Sequence, residues 1–215
     1  MLGPELVNEE LLKSKKFIEV PKSINFELLS PNINLKLVEN FKKEKLIEEA
    51  DFVMGTFSRY EKISESFLEL VFNLLKINKN RKIIIAGTND NSRAKKKLKK
   101  FIENKQAIIL GFSDVHILGN CCDVFLDTFP FPCGFSAIEI MSKGKPVVSI
   151  NQPNLSNYKK SRVNKLILEN EDDLNGCLIK LENNSKFYNE MSEKSLKIAK
   201  DYDNSLKLAE SIASL

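Results

Sequence analysis

Between residues 51 and 150 the chain alternates short apolar runs with helical patterns, and that alternation leaves few folds open. Residues 51–57 (DFVMGTF) read as a strand. Ser64 then stands as an N-cap before a helix whose apolar positions Phe67, Leu68, Val71, Leu74 and Leu75 recur at helical spacing. Residues 82–87 (KIIIAG) form a continuous apolar run between polar turns, as a strand buried on both faces requires. A basic helical stretch follows, then a strand over 107–110, a short helix over 115–120, a strand over 123–127 (DVFLD), a helix over 134–143 and a strand over 146–150 (PVVSI). Helical crossovers between buried strands are right-handed and place helices on both sides of the sheet. The pattern therefore predicts an α/β, Rossmann-like parallel sheet of five or more strands with helices on both faces.

The flanks fit less regularly. Residues 16–20 and 24–28 read as short strands split by Pro21, and residues 36–49 as an amphipathic helix. Past Ile150 an Asn-rich loop leads to helices expected over 172–182, 187–200 and 205–213. The organisation expected is an N-terminal extension or inter-domain remnant (1–50), a Rossmann-like domain (51–168) and C-terminal helices packing on that same domain (169–215).

Composition narrows the classes of function. With 215 residues, 42% of them hydrophobic, the chain can bury a core, and disorder, collagen and coiled coil are excluded. Apolar runs such as Ile83-Ile84-Ile85-Ala86 fall far short of the ~18 to 20 residues a bilayer span needs, so no transmembrane segment is expected. The opening Met1-Leu2-Gly3-Pro4-Glu5 has no basic region followed by an apolar one, and a cytoplasmic protein is expected. A formal charge of +4 argues weakly for a polyanionic partner. The run RAKKKLKK (93–100) puts Leu98, Phe101 and Ile102 on one side and lysines around the rest, the pattern of a solvated helix face, so no nucleic-acid partner is expected. Cys121, Cys122, Cys133 and Cys177 lack metal-ligand spacing, and the adjacent Cys121 and Cys122 read as buried free thiols. The lone histidine, His116, reads as satisfied or solvent-facing, with nothing nearby to build a nucleophile system on it.

Ligands of open parallel sheets bind beyond the carboxyl ends of the strands, so the loops there carry the functional argument. In Gly55-Thr56-Phe57-Ser58-Arg59-Tyr60-Glu61-Lys62 a guanidinium and an ammonium stand three residues apart before a helix, which suits a diphosphate. Ordinary solvated charges are the alternative. In Cys133-Gly134-Phe135-Ser136-Ala137-Ile138-Glu139, Gly134 permits close backbone approach, and the amides at the helix start can hold a phosphate. Glu139, a turn further on, can accept from ribose hydroxyls or merely complement the helix dipole. In Leu110-Gly111-Phe112-Ser113 the backbone can read a base edge with Phe112 as an apolar wall, unless Phe112 is plain core.

The order GTFSRYEK, IILGFS, CDVFLDTFPF and GFSAIEIMSKGKPVV resembles the C-terminal, nucleotide-sugar-binding half of GT-B glycosyltransferases, most closely the O-GlcNAc transferase and bacterial HMW1C-like branch. The resemblance covers about residues 14–150 and is most specific over 123–148. It implies a UDP-sugar donor with no obligate metal or other cofactor, and transfer of a sugar to a hydroxyl or amide acceptor. Lys62 matches the family lysine on the diphosphate, with Arg59 as a polar neighbour; Glu139 matches the acidic residue on the ribose, and Gly134, Phe135 and Ser136 the phosphate-binding helix start. Thr56, Thr128, Gly111, Phe112 and Ser113 complete the expected donor contacts, and the loop over 128–133 is expected to bear on sugar choice. Two departures stand out. Gly134, Phe135 and Ser136 replace the His and Thr residues of the relatives, and Phe131 stands where the first Glu of the E-x7-E pattern of many GT-B enzymes would be. A GT-B enzyme closes two such domains on a cleft, so a partner N-terminal domain or chain is implied, with homo-oligomers left open. The alternatives are a non-catalytic nucleotide-binding or interaction module and a sugar-nucleotide epimerase-like enzyme.

Overall fold

Successive strand residues point to opposite faces of a sheet, and here both sets are apolar. Met54, Ile83, Ile85, Val124, Leu126, Val148 and Ile150 belong to one buried cluster, whereas Val53, Phe57, Ile84, Phe125 and Val147 belong to another. The computed structural model describes residues 25–151 and 166–202, with residues 209, 210 and 213 beyond them. It contains one six-stranded, wholly parallel sheet in the order β3-β2-β1-β4-β5-β6. The strands are β1 (Phe52–Phe57), β2 (Arg81–Ala86), β3 (Ala107–Leu110), β4 (Val124–Leu126), β5 (Val147–Ile150) and β6 (Leu166–Leu168). The register runs from Phe52 opposite Arg81 to Phe57 opposite Ala86, and β4 meets β1 only at Met54 and Gly55.

The α-helices are α1 (Phe26–Leu29), α2 (Leu35–Glu44), α3 (Glu65–Ile77), α4 (Ser92–Lys97), α5 (Lys99–Glu103), α6 (Val115–Cys121), α7 (Phe135–Met141), α8 (Glu171–Asn183) and α9 (Ser185–Asp201), and a 3-10 turn covers Tyr60–Lys62. Phe67 and Val71 of α3, Leu98 and Phe101 around α5, and Leu174 and Leu178 of α8 cover one face. Leu29 of α1, Val38 of α2, Leu118 of α6, Ile138 and Met141 of α7 and Ala199 of α9 cover the other. The two-sided α/β expectation therefore holds. Ser64 caps α3 as the spacing predicts, its Oγ accepting from the Phe67 amide at 3.1 Å.

Four expectations change. Of the strand expected over 24–28, the described residues 25–28 are helical instead: Asn25 accepts from the Glu27 amide at 2.7 Å and starts the helical turn α1. The helix expected over 36–49 ends at Glu44, and Leu46 turns left-handed at φ 54°. The basic helix breaks at Leu98 into α4 and α5, with Leu98 itself buried. Strand β6 lies where none was expected. The strand expected over 16–20 and most of the helix over 205–213 lie outside the described residues. The four cysteines are buried and unpaired by disulfides.

On the sheet's amino-terminal edge, Arg81 is fully buried and forks onto α8. Its guanidinium donates to both carboxylate oxygens of Glu182 and, at 2.7 Å, to Asn175 Oδ1. This planar, bidentate pairing anchors α8 to the start of β2.

Candidate functional site

Strand order reverses between β1 and β4, and beyond their carboxyl ends the loops part to leave a cleft of about 650 Å3. This is the switch point at which open α/β sheets bind ligands. Ser58 and Arg59 after β1, Gly87 and Thr88 after β2, and Phe112 and Ser113 after β3 form one wall. Ser136 and Glu139 of α7 form the other, and His116 of α6 lies between them.

The first wall is tied together by backbone contacts. Ser58 N–H donates to Ala86 O at 2.9 Å, Tyr60 N–H to Thr88 O at 3.1 Å, and Gly87 N–H to Gly111 O at 3.3 Å. Tyr60 reaches under all three loops, its hydroxyl 2.7 Å from Leu110 O and 3.2 Å from Ile85 O. Burial pushes this phenol up to about 12, so it stays a donor. Gly87 is required by close approach: a Cβ there would lie 1.7 Å from Ser58 O. Arg93, from the basic run, donates to Ile63 O at 2.6 Å and braces the same loop from behind.

The second wall begins at Gly134, whose φ of +58° suits glycine and turns the chain into α7 without a side-chain cap. Before it, Cys133 N–H donates to Asp127 Oδ1 at 2.6 Å. Burial raises the Cys133 thiol to about 12, which removes it as a nucleophile. Glu139 is half-buried; burial raises its pKa and the Lys143 ammonium opposes that rise. The His116 pKa is lowered by burial and then by Lys143, with Asp114 opposing, which favours the neutral imidazole. Its Nδ1 is buried and lacks a hydrogen-bond partner among the described residues. His116 is therefore not fully satisfied, since Nδ1 has no partner among the described residues, and as a part-exposed side chain it lines the cleft.

Of the residues expected to contact a ligand, Arg59, Phe112, Ser113, Ser136 and Glu139 line the cleft. Phe112 is 86% exposed and is therefore not core. Lys62 stands to one side, donating to Pro132 O at 3.1 Å, two residues before Gly134. The Gly111 carbonyl already receives the Gly87 amide and the Ser113 hydroxyl, at 3.2 Å, so its lone pairs are occupied. Thr56 and Thr128 do not line the cleft. Thr56 is buried within β1 and donates to Leu126 O at 2.9 Å; Thr128 is buried and donates to Phe131 O at 2.6 Å. Thr56→Val should accordingly lower stability by about 1 kcal/mol, read by chemical denaturation, and leave ligand affinity unchanged.

Sheet order, cleft position and the paired walls define an α/β, Rossmann-like domain of the GT-B kind. Residues 38–198 match the family of group 1 glycosyl transferases, and the chain belongs to that family. No curated protein matches it in sequence. Among solved structures it is similar to HepE of Anabaena in complex with UDP and glucose, at 17% identity and a TM-score of 0.73 over 97% of this chain and 58% of that one. It is also similar to a mutant O-GlcNAc transferase of Thermobaculum terrenum, at 17% identity and a TM-score of 0.63 over 76% of this chain and 34% of that one. The C-terminal domain of the group 1 family protein LpcC from Francisella tularensis matches at 16% identity and a TM-score of 0.62, over 83% of this chain and 97% of that one. The chain thus spans a third to three-fifths of the first two proteins and nearly all of the isolated domain. Among the described residues no helix is long and apolar enough to cross a membrane.

Proposed function

We propose that the cleft is the donor site of a glycosyltransferase that uses a UDP-sugar and transfers the sugar to a hydroxyl or amide acceptor. The observation that carries this reading is the convergence of Arg59 and Glu139 from opposite walls on one switch-point cleft. Kinship with group 1 glycosyl transferases and the likeness to a fold solved with UDP support it. In this reading Glu139 accepts from the ribose hydroxyls, and Phe112 offers its apolar face to the base. The diphosphate lies towards Arg59, Lys62 and the amides of Phe135 and Ser136.

As the bond between the anomeric carbon and the diphosphate oxygen breaks, negative charge grows on the departing UDP. Fixed cations and amides there stabilise the transition state more than the ground state. The acceptor oxygen or nitrogen takes the anomeric carbon and loses its proton to a base. The acceptor surface and that base belong, in this reading, to a second domain or partner chain, in a cytoplasmic setting.

Calorimetric titration with UDP, with ADP and GDP as controls, tests the proposal. UDP should bind preferentially, and Lys62→Ala and Glu139→Ala should each weaken it by about tenfold or more, or about 1.4 kcal/mol. Unchanged UDP affinity in Lys62→Ala removes that lysine from the site, and absence of nucleotide binding removes the donor-site reading.

A further inference from the structure

Two helix ends meet on a single ammonium behind the second wall. The carbonyl of Leu29 closes α1, and the carbonyl of Glu139 lies in the last turn of α7. Past α7 the backbone amides of Ser142, Lys143 and Gly144 go to Ile138, Ile140 and Met141, which leaves the Glu139 carbonyl to side chains. Lys143 Nζ lies 2.9 Å from both carbonyls, and Ser142 Oγ lies 2.7 Å from both. A hydroxyl has one proton and can serve one carbonyl at a time, whereas an ammonium has three and serves both. The negative ends of two helices also favour a cation.

The surroundings are built for this side chain. A Cβ on Gly119 would lie 2.9 Å from Lys143 Cδ, so α6 leaves the stem its passage. Leu29 and Ser142 are buried, at 1% and 3% exposure. The titratable groups around Lys143 are Glu139, in the last turn of α7, and Asp114 and His116 at the start of α6, while α1 offers it a carbonyl. Burial lowers Lys143 to about 8, against the pull of Glu139 and Asp114.

We propose that Lys143 is a positioning residue that couples the α1 segment to the donor site by holding the Leu29 and Glu139 carbonyls on one cation. The turn of α7 that presents Glu139 to the cleft is then fixed by where α1 sits, and displacement of α1 weakens donor binding. The binding half of this inference rests on the donor-site reading above; the clamp does not.

The test combines hydrogen–deuterium exchange with UDP titration on the full chain. Lys143→Met keeps the stem and removes the donors. It should raise exchange over 25–30 and over 135–142 together, leave β1 and β2 unchanged, and weaken UDP about tenfold. Lys143→Arg, which keeps the donors, should restore both. Leu29→Ala approaches the clamp from the other side and should raise exchange over 135–142 as well as over its own segment. Exchange that rises at one end only, or an arginine variant no better than the methionine one, overturns the coupling. If the wild-type chain binds no UDP, the donor-site reading fails, and the paired exchange response alone decides whether the clamp exists.

Discussion

Arg81→Met should be among the most damaging single substitutions in the chain, costing about 3 to 5 kcal/mol of stability. The guanidinium it removes is fully buried and serves three acceptors on α8, two on Glu182 and one on Asn175. Methionine fills much of the volume but leaves the Glu182 carboxylate, 9% exposed, without its counter-charge. A buried, uncompensated charge is what makes such a truncation severe; the intact pair need contribute little net stability. For a domain of this size the loss corresponds to a melting temperature lower by roughly 10 °C. The double variant Arg81→Met/Glu182→Leu should recover most of the loss, since it removes both charges. A double variant no more stable than Arg81→Met would show that the arginine acts through packing alone.

Gly87→Ala should act at the opposite edge of the sheet. The added methyl would fall 1.7 Å from Ser58 O and 2.8 Å from Ser58 C, and these are backbone atoms that no rotamer change can move aside. Relief requires the β1 and β2 loops to separate, breaking the contacts of Ser58 with Ala86 and of Tyr60 with Thr88. A loss of about 3 kcal/mol or more is expected from thermal or denaturant unfolding. Gly111→Ala is the control: its Cβ would meet nothing within 4 Å, and stability should change by less than about 0.5 kcal/mol. Equal effects at both glycines would show that close approach is not what fixes Gly87.

The sheet and the broad location of the cleft were legible because they follow from periodicity. Runs such as Ile83-Ile84-Ile85 can be buried only between two helical layers, and the crossovers then fix where ligands bind. Arg59 and Glu139 could be found because a strand–loop–helix pattern assigns those positions to the carboxyl edge. Thr56 sits inside β1, fully buried, with its hydroxyl spent on Leu126 O of the neighbouring strand, a pairing seventy residues apart that no local pattern discloses. Strand β6 is three residues long and half-exposed, so it carries no alternation to detect. The break at Leu98 follows from tertiary packing, which buries Leu98 fully and Phe101 nearly so. Lys143 reads in sequence as one more lysine beside a glycine; only the Leu29 carbonyl, more than a hundred residues away in the chain, gives it a role.

The unequal tethering of the cleft's two walls has an entropic consequence. Tyr60 pins the ends of β2 and β3 from beneath while its own loop is laced to β2, so the loops after β1, β2 and β3 are ordered before any ligand arrives. Binding need not pay to order them. The α7 wall is packed into the core through Ile138 and Met141 but begins at Gly134 without a side-chain cap, so ligand-dependent ordering should be concentrated at its start. Affinity at this cleft would then be set less by the number of contacts than by how far the α7 wall is already ordered when the ligand arrives.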